Sequence, residues 1–342
     1  MKTSDFDYSL PSALIAQVPV EPRDHSRLLV LHRDSRLIEH RHFYEITHYL
    51  EKDDVIVFNN SRVIPARMLG HKKGTTIKVE LLLLRRLDKN LWEALARPGR
   101  KLPVGTEVIL RDLSGVHEGE ILAQIVGHKE EGVKIVQLSD ETCLRTLGQL
   151  PLPPYIHVPL PDPNRYQTVY AKVDGSVAAP TAGLHFTAEL LKRIEEKGVK
   201  IAFVTLHIGL DTFRPVRTDH PERHPIHTEY GEVSMEVATT VNEAGKIGRR
   251  VIAVGTSTVR LLEAAGQTGV VQPYAGSVDL FILPGYKFRI VNAMVTNFHL
   301  PKSTPLMLVA AFAGREFLLT AYQEAVAQSY RFYSFGDAML IL

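Results

Sequence analysis

Three histidines lie among small or hydroxyl-bearing residues, a setting that suits proton transfer near neutral pH. His185 ends a run of small residues, GSVAAPTAGLHFT, at positions 175–187. Small residues there let the backbone approach a ligand, and the helix start that follows favours an anion. Thr181 in the same run is a candidate substrate contact. The alternative is a tight structural turn around a buried histidine, and composition alone does not decide between the two.

A second candidate loop, GTSTVR at positions 255–260, follows an apolar strand and opens a helix. In open α/β sheets, ligands bind beyond the carboxyl ends of the strands. Free backbone N–H groups, three hydroxyls and one arginine would suit a carboxylate or a phosphate. The alternative is a plain helix cap. The candidate contacts are Gly255, Thr256, Thr258 and Arg260.

A third loop, NNSRVIPAR at positions 59–67, also follows an apolar run that reads as a buried strand. Its amides could contact base or ribose edges, and its arginines could hold phosphates or a carboxylate. Asn60 and Arg62 are the candidates. The alternative is an Asn-rich turn, which is common in proteins.

Two basic or aromatic segments are candidates for contact with RNA. The turn RPGRK at positions 97–101 supplies Arg97, Arg100 and Lys101, although basic turns are usually only solvated. The segment YRFYSFGD at positions 330–337 interleaves Arg331 with aromatic rings that could stack on bases. Core packing is the commoner explanation of such aromatics.

The segment HPERHPIHTE at positions 220–229 contains three histidines and two glutamates within ten residues. Nitrogen and carboxylate ligands of this kind could bind a metal. Pro221 and Pro225, however, make the segment an irregular loop without the i, i+4 geometry of a helical site. A substrate-contacting loop and a solvated loop are the alternatives, and we predict no metal site.

Composition narrows the class of protein. At roughly 150 residues per domain, the 342 residues suggest two domains, and 45% hydrophobic with 23% charged residues is ordinary for a globular chain. Forty Lys and Arg against 38 Asp and Glu leave a formal charge of +2, so a polybasic binder is disfavoured. Motifs of the types GxGxxG, GxxxxGK[ST], HExxH and GxSxG are absent.

The single cysteine, Cys143, excludes an internal disulfide or an all-cysteine metal site and fits a reducing compartment. The first residues have no apolar core of a signal peptide, and the longest apolar run, positions 306–313, is too short to cross a bilayer. We therefore expect a cytoplasmic protein, and a monomer.

The secondary-structure elements predicted to position these residues follow two different patterns along the chain. Between positions 77 and 138, short strands alternate with turns, which predicts a small all-β, barrel-like unit. The five candidate strands are 77–84, 91–96, 106–110, 120–126 and 133–138.

Elsewhere, strands alternate with helices, which predicts an α/β fold with a layered α/β/α core. Thr187, Ser234 and Ser303 are predicted helix N-caps, and Gly198 a helix end. Helix is also predicted over 258–265 and from Ser303 to about position 328, and strand over 54–58, 200–206, 250–254 and 278–283. The β unit is then an insertion at 66–150 in a catalytic domain formed by 1–65 and 151–342.

Taken together, these segments resemble the S-adenosylmethionine:tRNA ribosyltransferase-isomerase family of queuosine biosynthesis. The resemblance runs nearly end to end, from DFDY at positions 5–8 to GDAMLI at 336–341. Its strongest parts are FNNSRVIPAR (58–67), AAPTAGLHFT (178–187) and TNFHLPKST (296–304).

The resemblance implies that S-adenosylmethionine is consumed as a ribosyl donor. The acceptor would be the aminomethyl group of 7-aminomethyl-7-deazaguanine at the wobble position of a tRNA. The products would be epoxyqueuosine-tRNA, adenine and methionine, and no metal or bound cofactor is implied. Because the sulfonium acidifies the 5′ C–H and the leaving adenine benefits from an acid, two or three acid–base groups are needed.

For these roles we take His185, His207 and His299, with Asp279 and Glu229 next, and the sequence does not assign the steps among them. The loop 255–260 is our candidate for the methionine carboxylate. Arg62, Arg97, Arg100 and Lys101 are our candidates for the tRNA backbone.

Two departures from the family pattern stand out. Asp211 occupies a position in HIGLDTF (207–213) where the family usually has glycine, which leaves the geometry of the His207 loop open. The sequence GTTI at 74–77 replaces an expected Thr-Gly-Gly and should change only a turn.

Two alternatives come from other classes. An S-adenosylmethionine-dependent RNA methyltransferase would release S-adenosylhomocysteine instead of adenine, but no Gly-rich loop follows the first strand. A non-catalytic RNA-binding module would use the β unit alone, and the lack of a basic excess weighs mildly against it.

Overall fold

The protein is described by a computed structural model that covers residues 1–111, 121–209, 215–226 and 228–342, without the side chain of Glu131. The chain divides into two compact units. The first comprises Met1–Ser61, Pro153–Val173 and Ala179–Leu342, and the second comprises Arg62–Leu152 and Asp174–Ala178. The short piece Asp174–Ala178, which the sequence pattern assigned to the larger unit, groups with the smaller one. Asp211 and His227 lie outside the described residues.

The strands, in chain order, are β1 Arg27–Leu31, β2 Ile38–His42, β3 Val55–Asn59, β4 Ser61–Val63, β5 Arg67–Lys72, β6 Lys78–Asp88, β7 Leu91–Arg97, β8 Glu107–Leu110, β9 Ile121–His128, β10 Lys134–Leu138, β11 Val173–Ser176, β12 Lys200–His207, β13 Glu229–Val233, β14 Val251–Val254, β15 Tyr274–Val278, β16 Ala293–Asn297 and β17 Ala338–Ile341. The α-helices are α1 Leu144–Leu147, α2 Ala188–Glu196, α3 Met235–Lys246, α4 Thr256–Ala265, α5 Thr304–Ala313 and α6 Arg315–Ala327.

The larger unit is built on a nine-stranded mixed sheet in the order β15-β13-β12-β3-β14-β16-β17-β1-β2. Strand β3 runs parallel to β12 and β14, and β14 runs parallel to β16. Because their residues alternate between two faces, each face has its own core. Helices α3 to α6 pack on one face, and α2 and the 3₁₀ turns Phe43–Tyr49 and Thr181–His185 pack on the other. This confirms the predicted layered α/β/α fold.

Side-chain caps start the helices where the sequence predicted them. Thr187, Ser234 and Ser303 accept hydrogen bonds from the third backbone N–H of α2, α3 and α5. Gly198, at φ 83°, follows the end of α2. The last helical region is two helices rather than one, because Gly314 adopts φ 85° between them.

The strand predicted at 278–283 is wrong in position, since β15 ends at Val278. The carbonyls of Val278 and Leu280 accept hydrogen bonds from the Arg260 side chain. This arrangement leaves the apolar residues Phe281 and Ile282 to line a cavity instead of a sheet.

The smaller unit contains a closed antiparallel barrel of six strands in the order β10-β7-β6-β5-β8-β9. All five predicted strands are present, and the barrel prediction is confirmed. The sixth strand, β5, was missed because Arg67–Lys72 has no apolar alternation and contains Gly70. A Cβ at Gly70 would lie 2.3 Å from the Ile109 carbonyl oxygen, so glycine allows this close strand approach.

Among the described residues, no single helix is long and apolar enough to span a membrane. One bent pair, α5 with α6 at 112°, passes by length and composition when the two are taken together.

Candidate active site

A cleft lies in the larger unit at the edge where the parallel strands β3, β12, β14 and β16 end, the location expected for a ligand site in an α/β sheet. Its empty space, including the part open to solvent, is about 860 Å³. The wall combines apolar and aromatic side chains with a few polar groups. The polar and aromatic lining residues include Tyr155, Thr181, Glu229, Thr256, Ser257, Arg260, Phe281, Thr296, Asn297, His299, Tyr333 and Ser334.

The start of α4 supplies backbone N–H groups to this cleft. Gly255, Thr256 and Ser257 all line it, and no side chain caps the helix. Gly255 adopts φ 91°, which a residue with a side chain rarely tolerates. Asn59, fully buried at the end of β3, donates a hydrogen bond to Ser257 Oγ at 3.4 Å and so fixes this turn against β12. Uncapped N–H groups at a helix start favour an anion such as a carboxylate.

Arg260 lines the cleft but is held by the protein itself. Its Nη1 lies 2.6 Å from Glu229 Oε2, and Nε and Nη2 donate to the carbonyls of Leu280 and Val278. The other Glu229 oxygen accepts from the Gly209 N–H at 3.0 Å. The pair is nearly neutral as a whole, so a bound anion would depend mainly on the backbone of α4.

His299 and Thr296 place an acid–base group on the wall of the cleft. Thr296 Oγ1 lies 2.7 Å from His299 Nε2, and His299 Nδ1 has no hydrogen-bond partner among the described residues. Burial lowers the pKa of His299 to about 3, so the ring is neutral at physiological pH. The backbone of His299 is anchored by the hydroxyls of Tyr8 and Tyr322, which fixes the ring's position.

His185 is adjacent to the cleft but is not part of its wall. Its Nδ1 lies 2.7 Å from Ser26 Oγ, and its Nε2 accepts from Asn297 Nδ2 at 3.1 Å. The ring stacks on Phe43 with centroids 5.0 Å apart. Burial, with smaller contributions from the charges of Arg331 and Arg23, lowers the pKa of His185 to about 3. A ring with both nitrogens occupied is suited to positioning a neighbour.

Several residues that the sequence predicted for the site do not line the described part of the cleft. His207 ends β12 and stacks on Tyr230 of β13. Asn60 accepts a hydrogen bond from Thr205 at 2.8 Å. The Thr258 hydroxyl is fully buried and donates to the Val254 carbonyl within its own helix turn. Asp279 is exposed to solvent.

Arg331 also serves the fold of the larger unit. Its guanidinium donates to the carbonyls of Val18 and Phe335, and its backbone N–H donates to Asp337. One guanidinium nitrogen, Nη2, is therefore engaged within the chain, and the predicted RNA contact of Arg331 stays a prediction.

The four other basic candidates belong to the smaller unit. Arg62 lies 3.6 Å from Asp174, and both side chains are exposed. Arg97 ends β7, and Arg100 and Lys101 lie in the 3₁₀ turn that follows. These last three side chains are exposed and form no ion pair within the described part of the barrel unit. They remain available to a polyanion.

The histidine-rich segment 220–229 does not assemble a metal site from its described members. His220 Nδ1 lies 3.1 Å from the Met1 carbonyl oxygen, and the His224 ring contacts Phe281. Across the described ranges, no group of three or more His, Cys, Asp or Glu side chains is arranged to hold a metal ion.

Sequence reasoning did not identify Ser26, Asn297 and Tyr333 as site residues. Asn297 and Tyr333 lie within the segments 296–304 and 330–337, but nothing in the sequence distinguishes them from their neighbours. Ser26 is separated from His185 by 159 positions, so only the fold reveals the contact. Tyr333 has φ 72° and lies 7% exposed on the cleft wall, a backbone conformation that composition cannot show.

Comparison with known proteins gives consistent matches over the whole chain. A family model described as "Queuosine biosynthesis protein" matches residues 3–341. The chain is 57% identical over 345 residues to the S-adenosylmethionine:tRNA ribosyltransferase-isomerase of Dehalococcoides mccartyi strain CBDB1, covering all of both chains. The corresponding enzyme of Moorella thermoacetica is 52% identical over 348 residues, again with complete coverage of both.

A solved structure agrees. The crystal structure of S-adenosylmethionine tRNA ribosyltransferase from Thermotoga maritima matches with a TM-score of 0.58 and 42% sequence identity. The match covers 99% of this chain and 100% of that one.

Proposed function

Because this chain belongs to the S-adenosylmethionine:tRNA ribosyltransferase-isomerase family of queuosine biosynthesis, we propose the following reaction for it. The enzyme transfers and isomerises the ribosyl group of S-adenosylmethionine onto 7-aminomethyl-7-deazaguanine at the tRNA wobble position. Epoxyqueuosine-tRNA forms, and adenine and methionine leave. The observation that carries the proposal is the family match over residues 3–341, together with a cleft that combines an uncapped helix start and a neutral histidine.

The methionyl carboxylate binds at the start of α4 in this proposal. The N–H groups that follow Gly255 and the hydroxyls of Thr256 and Ser257 lie at the cleft and suit a negatively charged group. Arg260 supports this turn by fixing the segment that carries Phe281, since its own charge is balanced by Glu229.

His299 is the proposed proton acceptor for the first step. The sulfonium of S-adenosylmethionine acidifies the adjacent 5′ C–H, and loss of that proton leaves an ylide. The neutral His299 ring on the cleft wall has a lone pair that can take the proton, and Thr296 holds the ring by its Nε2. A pKa of about 3 makes the ring a weak base, so the step depends on the ring being held close to the acidified C–H. Proton transfer by a fixed group of this kind accelerates a step by roughly 10²–10⁴-fold.

Later steps need a neutral acceptor amine and an acid for the departing adenine. Protonated His299, formed in the first step, is a strong acid because burial favours its neutral form. Returning that proton to the leaving adenine would reset the site. His207 and Asp279, considered from the sequence, do not lie on the described cleft wall, and we assign them no step.

The proposal extends to the setting of the reaction. S-adenosylmethionine is a consumed substrate, and no resident cofactor or metal takes part. The basic side chains of the barrel unit, mainly those of Arg97, Arg100 and Lys101, bind the tRNA backbone. We propose a cytoplasmic location, which accords with the lone, buried Cys143, and we propose a monomer.

The deciding experiment is product analysis by liquid chromatography. Purified protein is incubated with S-adenosylmethionine and a tRNA that carries 7-aminomethyl-7-deazaguanine, and with each alone. Adenine and methionine should appear in equal amounts only when both are present. Adenine release without tRNA, or none at all, would contradict the proposal. S-adenosylhomocysteine would indicate the methyltransferase alternative, which the comparisons do not support.

A further inference from the structure

Asn297, at the end of β16, has a buried amide oxygen that no described residue hydrogen-bonds. The residue is 2% exposed and lines the cleft. Its Nδ2 donates to His185 Nε2 at 3.1 Å and to the Tyr333 carbonyl oxygen at 3.2 Å. Its Oδ1 has no hydrogen-bond partner among the described residues. A buried polar atom without a partner costs about 1–3 kcal/mol, so this oxygen calls for a donor from outside the chain.

The orientation of the amide is fixed by its neighbours. The Tyr333 carbonyl has no hydrogen, so it can only accept, and its partner on Asn297 must be Nδ2. Rotating the amide by 180° would set Oδ1 against the lone pairs of that carbonyl. The His185 Nε2 accepts from the same Nδ2 in the tautomer that carries its proton at Nδ1, toward Ser26. Asn297, a residue of the cleft wall, therefore keeps a buried acceptor oxygen that no donor among the described residues satisfies.

This acceptor lies next to the anion-binding start of α4. Strands β14 and β16 run parallel with Val254 opposite Val295, and the Gly255 N–H donates to the Val295 carbonyl at 2.8 Å. Gly255 follows the last residue of β14, and Asn297, two positions beyond Val295, is the last residue of β16, so both lie at the same edge of the sheet. One strand end offers N–H donors and the other offers an oxygen, an arrangement that matches the carboxylate and ammonium groups of an α-amino acid.

We propose that Asn297 binds the α-ammonium of the methionyl group of S-adenosylmethionine, and that His185 and Ser26 are positioning residues for it. This inference rests on the proposed function, since it names the contacts of the same substrate. The described wall of the cleft has no carboxylate to spare for the ammonium, because both oxygens of Glu229 are engaged by Arg260 and Gly209. A neutral amide then gives specificity for an amino acid at modest affinity.

Calorimetric titration of Asn297→Leu with two probes tests the inference. S-adenosylmethionine carries the α-ammonium, and 5′-methylthioadenosine lacks the whole amino-acid group. The variant should bind S-adenosylmethionine about tenfold more weakly than the wild type, and 5′-methylthioadenosine within about twofold of it. Asn242→Leu is the matched control, because Asn242 is an amide on α3 that bonds the backbone of Val271 outside the cleft. That control should leave binding of both probes unchanged.

The role of His185 is tested by a double-mutant cycle with His185→Phe, which keeps a ring to stack on Phe43. His185→Phe should weaken S-adenosylmethionine binding about threefold to tenfold in the wild-type background, and have almost no further effect when Asn297 is already leucine. Additive losses, or equal losses for 5′-methylthioadenosine, would mean a general structural role and would overturn the assignment.

A second variant and a pair of smaller ligands test the same contact independently. If Asn297→Leu does not fold, Asn297→Ser shortens the side chain out of reach and carries the same expectation. On the unaltered protein, L-methionine should bind about tenfold more tightly than 4-methylthiobutyrate, which lacks the ammonium. Unchanged S-adenosylmethionine affinity in the Asn297 variant overturns this inference and leaves the proposed function intact. A wild-type protein that binds no S-adenosylmethionine overturns both.

Discussion

The cationic residues that the sequence pointed to have different surroundings in the larger and the smaller unit. In the larger unit, Arg260 and Arg331 are occupied by the chain's own carboxylate and carbonyl groups. In the smaller unit, Arg97, Arg100 and Lys101 are exposed and have no ion-pair partner within its described part. A cation that the fold leaves without a partner binds an external polyanion more readily than one that must first give up a carboxylate or carbonyl partner. The net charge of +2 does not show this difference, because it counts partnered and unpartnered cations alike.

The largest expected effect tests whether the cleft of the larger unit depends on a neutral histidine. His299→Ala should lower the rate of adenine release by about 10²–10⁴-fold, because it removes the proposed proton acceptor. S-adenosylmethionine affinity should change little. Single-turnover rates and calorimetry measure the two quantities. His42→Ala, an exposed histidine of the same unit, is the control and should retain full rate. Equal loss of binding and rate would indicate collapse of the cleft.

The pair of Arg260 and Glu229 tests whether that arginine is structural. Arg260→Met leaves the Glu229 carboxylate, which is 9% exposed, without its cation and should lower the free energy of unfolding by about 3–5 kcal/mol. Replacing both residues, as Arg260→Met with Glu229→Leu, should cost clearly less. Urea unfolding gives both values. A variant of normal stability that fails to bind S-adenosylmethionine would instead make Arg260 a direct ligand of the carboxylate.

The barrel unit provides the converse test. The triple change of Arg97, Arg100 and Lys101 to alanine should weaken tRNA binding by about 10- to 100-fold at low salt and reduce the slope of log K against log salt by about 2 to 3. Filter binding over a salt series measures this. The matched control changes Arg85, Arg86 and Lys129, the same number of charges, which are paired with Glu93 and Glu141. It should flatten the slope less, and an equal effect would remove the distinction between free and paired cations.

Acid should weaken the larger unit through its two buried histidines. The pKa of His185 is lowered from 6.5 to about 3 in the folded protein, so the unfolded chain binds more protons between these values. The contribution is complete above pH 6.5 and is lost as the pH falls toward 3. For His185 the loss at pH 5 is about 2 kcal/mol, and the same pKa of about 3 predicts a loss of similar size for His299. Unfolding free energies of His185→Phe and wild type should converge as the pH falls from 7 to 5; parallel curves would contradict this.

The smallest effect distinguishes two neighbouring threonines at the start of α4. Thr258→Val removes a buried hydrogen bond to the Val254 carbonyl and should cost about 1 kcal/mol of stability without changing the KM for S-adenosylmethionine. Thr256→Val alters a residue of the cleft wall and should raise that KM about twofold to fivefold at unchanged stability. Steady-state kinetics with thermal unfolding separates the two. The reverse pattern would place Thr258 in the site.

The sequence by itself determined the fold class, the five strands with clear alternation, the helix starts at Thr187, Ser234 and Ser303, and the family. Each depends on local patterns of apolar spacing, hydroxyl caps and long motifs, which are read within a few residues. The strand β5 escaped because its pairing rests on Gly70 fitting against Ile109, which is a contact between distant positions. The break at Gly314 and the cleft-lining segment after Val278 were missed for similar reasons.

Only the tertiary structure decided which candidates share a site. His185 was predicted to be an acid–base group, and it lies beside the cleft with contacts to Ser26 and Asn297 that cross 159 and 112 positions, contacts from which we infer a supporting role. Arg260 carries the right charge for an anion, but Glu229, brought to it by strand pairing, neutralises that charge. Residue type states what a side chain can do, whereas burial and the partners supplied by distant segments set its pKa, its free donors and therefore its role.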